Sequence, residues 1–131
     1  VVEVIDGDTI VVSQAGEKKT VRLLGIDTPE ARGPYRDEGC FGKEASQYLQ
    51  QRLSGKEISL ETDTKADLID RFDRLLAYIY VDNVFINEEL VAKGYATLYR
   101  DAENLTYTQE LQSALQDAQS QNKGLWGACD L

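Results

Sequence analysis

The chain has 131 residues, 42% of them hydrophobic, a formal net charge of −9 and no histidine. That length suffices for one buried core, and no stretch reads as disordered or as bilayer-crossing, so a single domain over residues 1–131 is expected. Without histidine there is no Ser-His-Asp triad, no imidazole base and no histidine-bearing zinc site, and two cysteines are too few for a four-thiolate one.

Val1–Ile5 reads as a strand from the first residue, and the lack of a leading methionine suggests a mature or trimmed chain, which allows a removed signal peptide without showing one. Asp6-Gly7 suits the positive φ angles of a tight turn into a second strand, Thr9–Val12. A polar turn over Gln14–Lys19 leads to an apolar-rich strand, Thr20–Ile26, that carries Arg22. Pro29, Gly33, Pro34 and Gly39 mark Thr28–Phe41 as a loop, long enough to hint at function. Gly42–Leu53 has helical spacing, with Ala45, Tyr48, Leu49 and Leu53 on one face and Gly55 as its stop. Ile58–Thr62 is a short strand, and Leu75–Val81 with Val84–Ile86 makes a hairpin around Asp82-Asn83. Asn87 is placed to cap a short helix that Gly94 ends. Thr106 and Gln109 have capping-box spacing for a last helix, whose stripe is Leu111, Ala114, Leu115 and Ala118 and which Gly124 closes. Strands first, then helices between and after the later strands, predict a small α+β barrel.

Unusual polar residues gather in Ile5-Asp6-Gly7-Asp8-Thr9, in Arg22–Glu30 and in Asp70-Arg71-Phe72-Asp73-Arg74. Asp8 lies just past a turn, and Asp27 and Glu30 straddle Thr28-Pro29 at the end of a strand, so neighbouring strands would bring three carboxylates to one rim. Such an oxygen-only cluster suits calcium, magnesium less well, and zinc not at all. Arg22 and Arg74 can each offer a planar fork to a phosphate. Phosphodiester hydrolysis needs charge neutralisation at the phosphorus oxygens and a positioned water, which two guanidiniums, one cation and one carboxylate supply without histidine. Singly, each residue has an ordinary reading: Asp8 as a turn residue, Arg22 as an ion-pair partner, Arg71 and Arg74 on an exposed turn. Gly42-Lys43 is not a phosphate-binding P-loop, because Glu44 follows the lysine. The acidity argues against tight non-specific polyanion binding more than against phosphodiester chemistry.

These segments resemble the staphylococcal (micrococcal) nuclease, or thermonuclease, family over nearly the whole chain. The strongest blocks are Val4–Thr9, Val21–Glu30, Phe41–Ser46, Leu75–Tyr80, Asn87–Gly94 and Asn122–Gly127. The resemblance implies an OB-fold, a five-stranded β-barrel with three α-helices. It implies calcium held by Asp8, Asp27 and the Thr28 carbonyl, with Glu30 orienting or deprotonating the attacking water. Arg22 and Arg74 would stabilise the transition state from two sides, and Arg71, Phe72 and Tyr99 would contact substrate. Substrates would be DNA and RNA, single-stranded or fraying regions preferred, cut to 3′-phosphate products by a monomer with no membrane attachment. Phe72 stands where the family usually has a tyrosine that bonds a terminal phosphate, and Asp73 replaces a glycine beside Arg74. The family's frequent secretion favours a Cys40–Cys129 bridge and an extracytoplasmic location. A non-catalytic OB module binding nucleic acid or protein is the alternative, set against the presence of Asp8, Arg22, Asp27, Glu30 and Arg74 together. An acidic calcium-binding domain would leave the arginine pair without a role.

Overall fold

A computed structural model of the chain describes residues 1, 3–29, 40–99 and 104–129. Strands β1 (Glu3–Asp6), β2 (Thr9–Gln14) and β3 (Glu17–Leu23) form an antiparallel meander. Gly7, expected at positive φ, lies outside that range. Its need is closeness, since a Cβ there would sit 2.9 Å from both the Ala45 Cβ and the Thr28 Oγ1. The polar stretch expected as a turn over 14–19 is mostly strand. Pairing runs from Thr9↔Arg22 to Gln14↔Glu17, which leaves only Ala15 and Gly16 to turn the chain. The solvated end of a hairpin needs backbone partners, not apolar side chains.

The strand expected over Thr20–Ile26 is broken. β3 stops at Leu23, and β4 (Ile26–Asp27) pairs instead with β8 (Thr97–Leu98) in a separate two-stranded sheet. Gly25 makes the break at φ 82°, and a Cβ on it would lie 2.9 Å from Leu111 Cδ1. β6 (Leu75–Val81) takes β3 in parallel on one side and β5 (Ser59–Glu61) antiparallel on the other. β7 (Val84–Phe85) folds back on β6 across Asp82-Asn83, both at positive φ as a two-residue turn requires. The main sheet therefore has six strands in the order β1-β2-β3-β6-β5, with β7 on β6. Among the described residues it does not close into the expected five-stranded barrel, because the turn at Gly25 sends the chain into the second sheet.

Helix α1 (Gly42–Leu53) has the expected bounds, with Ala45, Leu49 and Leu53 buried. α2 (Ile86–Ala92) and α3 (Thr108–Ser120) follow, and α4 (Leu125–Ala128) is a single turn. The core lies between the sheet and α1, α2 and α3, around Ile10, Val21, Leu23, Leu49, Ile79, Leu90 and Leu111. Fully burying such a side chain contributes about 1.5–3 kcal/mol.

Two expected caps act elsewhere. Asn87 is wholly buried; its Oδ1 accepts from the Ile79 amide (2.9 Å) and its Nδ2 donates to the Leu24 carbonyl (2.9 Å). It clamps β6 to the turn after β3 and leaves α2 to start from Phe85 without a side-chain cap. Thr106 donates its hydroxyl and its amide to Asp63 rather than capping α3. α3 ends at Ser120, and Gly124 starts α4 rather than closing α3. Cys40 and Cys129 form a disulfide that joins the residues before α1 to the end of α4.

Candidate active site

The end of β3, the turn after it and the start of β2 bring Asp8, Arg22, Asp27 and Thr28 to one rim. Arg22 faces Thr9 across the β2–β3 ladder. Its Nη1 donates to the Leu23 carbonyl (2.8 Å) and the Ile26 carbonyl (2.9 Å), oxygens exposed by the break at Gly25. Its Nη2 lies 3.4 Å from Asp8 Oδ2 and 3.6 Å from Asp27 Oδ1. A guanidinium anchored on two carbonyls is fixed in direction, which suits a group that must meet developing charge.

Asp8 is buried and fully engaged: Oδ1 accepts from the Thr9 hydroxyl and Oδ2 from the Thr28 amide, each at 3.0 Å. The Asp27 side chain is about half exposed. Thr28 is buried, and its Oγ1 has no hydrogen-bond partner among the described residues. Glu30 lies outside the described residues.

Arg74 sits on a turn organised by Asp70. Asp70 Oδ1 accepts the amides of Phe72 (2.9 Å) and Arg74 (3.0 Å), and Oδ2 pairs with Arg74 Nε at 2.9 Å. Burial pushes the Asp70 carboxyl up, but these amides and the guanidinium outweigh it and hold it below the ordinary range. Asp73, in the glycine-like position, adopts φ 64°, a left-handed angle that aspartate tolerates better than most residues.

One open cleft of about 830 Å³ joins the two arginines. Arg22, Arg71, Phe72, Arg74 and Tyr99 all line it, with Lys65, Asp67 and Asp70. Tyr99 stands against Arg22, its ring centroid 5.3 Å from the guanidinium carbon. The structure thus gathers the arginines and the aromatic residues named from sequence into one cleft. Asp8 and Asp27 pair with Arg22, and neither they nor Thr28 line the cleft. Sequence reading missed Asp70 as the holder of Arg74, although its position four residues before the arginine and within the quoted block was a signal. Lys65 carried none.

For a hard cation, the donors on this rim are right in kind: two carboxylates and an orphaned buried hydroxyl, all oxygen. Among the described residues no group of three or more acidic, cysteine or histidine side chains is arranged for a metal, so a third carboxylate would have to come from elsewhere.

Residues 20–128 match the profile of the family described as Staphylococcal nuclease homologue. Relatives include the thermonuclease of Staphylococcus hyicus, 35% identical over 96% of this chain and 73% of that protein. Endonuclease YncB of Bacillus subtilis is 37% identical over 93% of this chain and 58% of its own length. The thermonuclease of Staphylococcus intermedius is 32% identical over 94% of this chain and 72% of its own. The chain thus spans under two thirds of the Bacillus protein. Homologues that are nucleases at about this identity support a nuclease function, and the chain belongs to the staphylococcal nuclease family.

Proposed function

We propose that the chain is a calcium-dependent endonuclease that hydrolyses DNA and RNA to 3′-phosphate products. The observation that carries this reading is the pair of anchored guanidiniums, Arg22 and Arg74, lining one cleft, with an all-oxygen rim at Arg22. A phosphodiester seated in this cleft would meet two guanidiniums, each held in place by its own anchors, as negative charge builds. Preorganised donors of this kind are each worth on the order of 10²-fold in rate or more.

Asp8, Asp27 and the Thr28 oxygens are the residues that would hold calcium, which supplies Lewis-acid charge at the phosphate when bound. Asp8 is poised by the Thr9 hydroxyl and the Thr28 amide, so its carboxylate is oriented before any ligand arrives. Glu30 is assigned the attacking water, which it orients or deprotonates. Tyr99 offers a face for a base. The disulfide, common in oxidising compartments, fits a secreted protein, and no helix among the described residues is long and apolar enough to cross a membrane.

The test is hydrolysis of heat-denatured DNA with calcium, with magnesium and with excess chelator, beside Glu30→Gln. Calcium-requiring cleavage that falls by orders of magnitude in the variant, at unchanged melting temperature, is expected. Absence of cleavage from the folded protein under every condition would replace this reading with a non-catalytic binding module.

A further inference from the structure

The turn that carries Arg74 also holds an aromatic ring out of the core. Phe72 is 63% exposed, and Leu68 and Ile69 on the same segment are 57% and 45% exposed. A single exposed phenylalanine is ordinary, but this one lines the cleft and is held on a fixed turn. Asp70 binds the amides of Phe72 and Arg74, the Asp73 amide donates back to the Asp70 carbonyl (3.0 Å), and the Leu76 amide donates to the Leu68 carbonyl (2.9 Å). The backbone therefore presents the ring in one place instead of letting it collapse onto the sheet.

The ring is also tied to the cations. The Arg71 and Arg74 guanidinium carbons lie 4.9 Å and 5.2 Å from its centroid. On the lining of the same cleft, Tyr99, 43% exposed, stands in the same relation to Arg22. The cleft lining thus twice pairs an exposed aromatic face with a guanidinium. A polynucleotide alternates flat apolar bases with anionic phosphates, and this alternation matches it: the guanidinium takes a phosphate and the neighbouring ring takes the adjacent base. Lys65, on the same lining, adds a further positive charge along the path.

The geometry points to Phe72 as a base-stacking subsite, which makes the preferred ligand an unpaired polynucleotide with a base beyond the nucleotide at Arg74. The inference rests on reading the cleft as a nucleic-acid site. A duplex keeps its bases stacked on one another and can offer none to the ring without unpairing, so selectivity for single strands follows from the ring. The terminal phosphate of a mononucleotide gains nothing from Phe72, because a phenyl ring donates no hydrogen bond.

The experiment compares two fluorescent single-stranded DNA oligomers of equal length, one with bases and one abasic throughout, bound by anisotropy with chelator present. Phe72→Leu should weaken the base-bearing strand about 5-fold to about 100-fold and leave the abasic strand unchanged. Phe72→Trp should tighten the base-bearing strand. Equal weakening of both strands by Phe72→Leu, or no gain from Phe72→Trp, would overturn the subsite and leave Phe72 as a prop for the arginines. Cleavage activity is scored separately. Base-selective, Phe72-dependent binding by a protein that cuts nothing would refute the nuclease reading and keep the subsite. Cutting without base-selective binding would do the reverse.

Discussion

Asn87 links the sheet to the position of Arg22, and its replacement has a calculable cost. Asn87→Ala removes the partner of the Ile79 amide and of the Leu24 carbonyl, both bonded at 2.9 Å inside the core. A buried polar group left without a partner costs about 1–3 kcal/mol, so two of them predict a loss of about 3 kcal/mol or more. For a chain of this size that lowers the melting temperature by roughly 10 °C. Because Leu24 directly follows the Leu23 carbonyl that anchors Arg22, activity of the still-folded fraction should fall as well. Asn87→Asp sharpens the case. Its carboxylate can still accept from Ile79 but faces the Leu24 carbonyl with a second acceptor, and burial raises its pKa above the ordinary value of about 3.9. The protonated acid restores the donor, and a raised folded pKa means that stability falls as pH rises through it. The deficit relative to the unmodified chain should thus be smallest near pH ~4 and grow towards neutrality. Guanidinium titrations followed by the fluorescence of Trp126, the single tryptophan, measure both effects. A loss below about 1 kcal/mol for Asn87→Ala, or a pH-independent deficit for Asn87→Asp, would refute the clamp.

Other outcomes are expected from the same structure. Burial pushes the Asp63 carboxyl up, but the Tyr78 hydroxyl, the Lys65 amide and the Thr106 amide and hydroxyl outweigh it and hold its pKa at about 2. A depressed folded pKa gives stability present above the unfolded value and lost as pH falls towards about 2, a contribution of about 2 kcal/mol; Asp63→Asn should flatten this acid limb, and an unchanged limb would place the acid sensitivity elsewhere. Arg22→Lys cannot hold the Leu23 and Ile26 carbonyls while facing a phosphate, so turnover per folded molecule should drop on the order of 10²-fold, with some loss of melting temperature from the carbonyls left without a donor; full activity would exclude Arg22 from the chemistry. Reduction of the disulfide, which spans a sequence separation of 89, should cost up to about 4.6 kcal/mol in the chain-entropy limit. Equal denaturation midpoints with and without reductant would show that it carries no stability.

Local signals in the chain specified a good part of this protein. Apolar residues at helical spacing and a following Gly55 gave α1 its bounds, because an amphipathic helix is encoded by near neighbours. The Asp82-Asn83 turn between β6 and β7 was legible for the same reason. Failures occurred where a polar side chain could serve either its own helix or a distant partner. Asn87 and Thr106 both have capping chemistry, yet the buried amide and carbonyl beside Asn87, and Asp63 beside Thr106, are partners many residues away in sequence. A buried backbone group without water outbids an exposed helix end that water can satisfy. The break in the strand at Gly25 was invisible for a similar reason. It depends on Leu111, from the far end of the chain, packing where a Cβ would stand. The site divides along the same line. Its residue types were readable as carboxylates and arginines in three short segments. That Arg22 and Arg74 share one cleft, with Phe72 and Tyr99 on its walls and Asp70 holding Arg74 in place, was decided by the parallel pairing of β3 with β6, a contact between segments some fifty residues apart that only the folded chain makes.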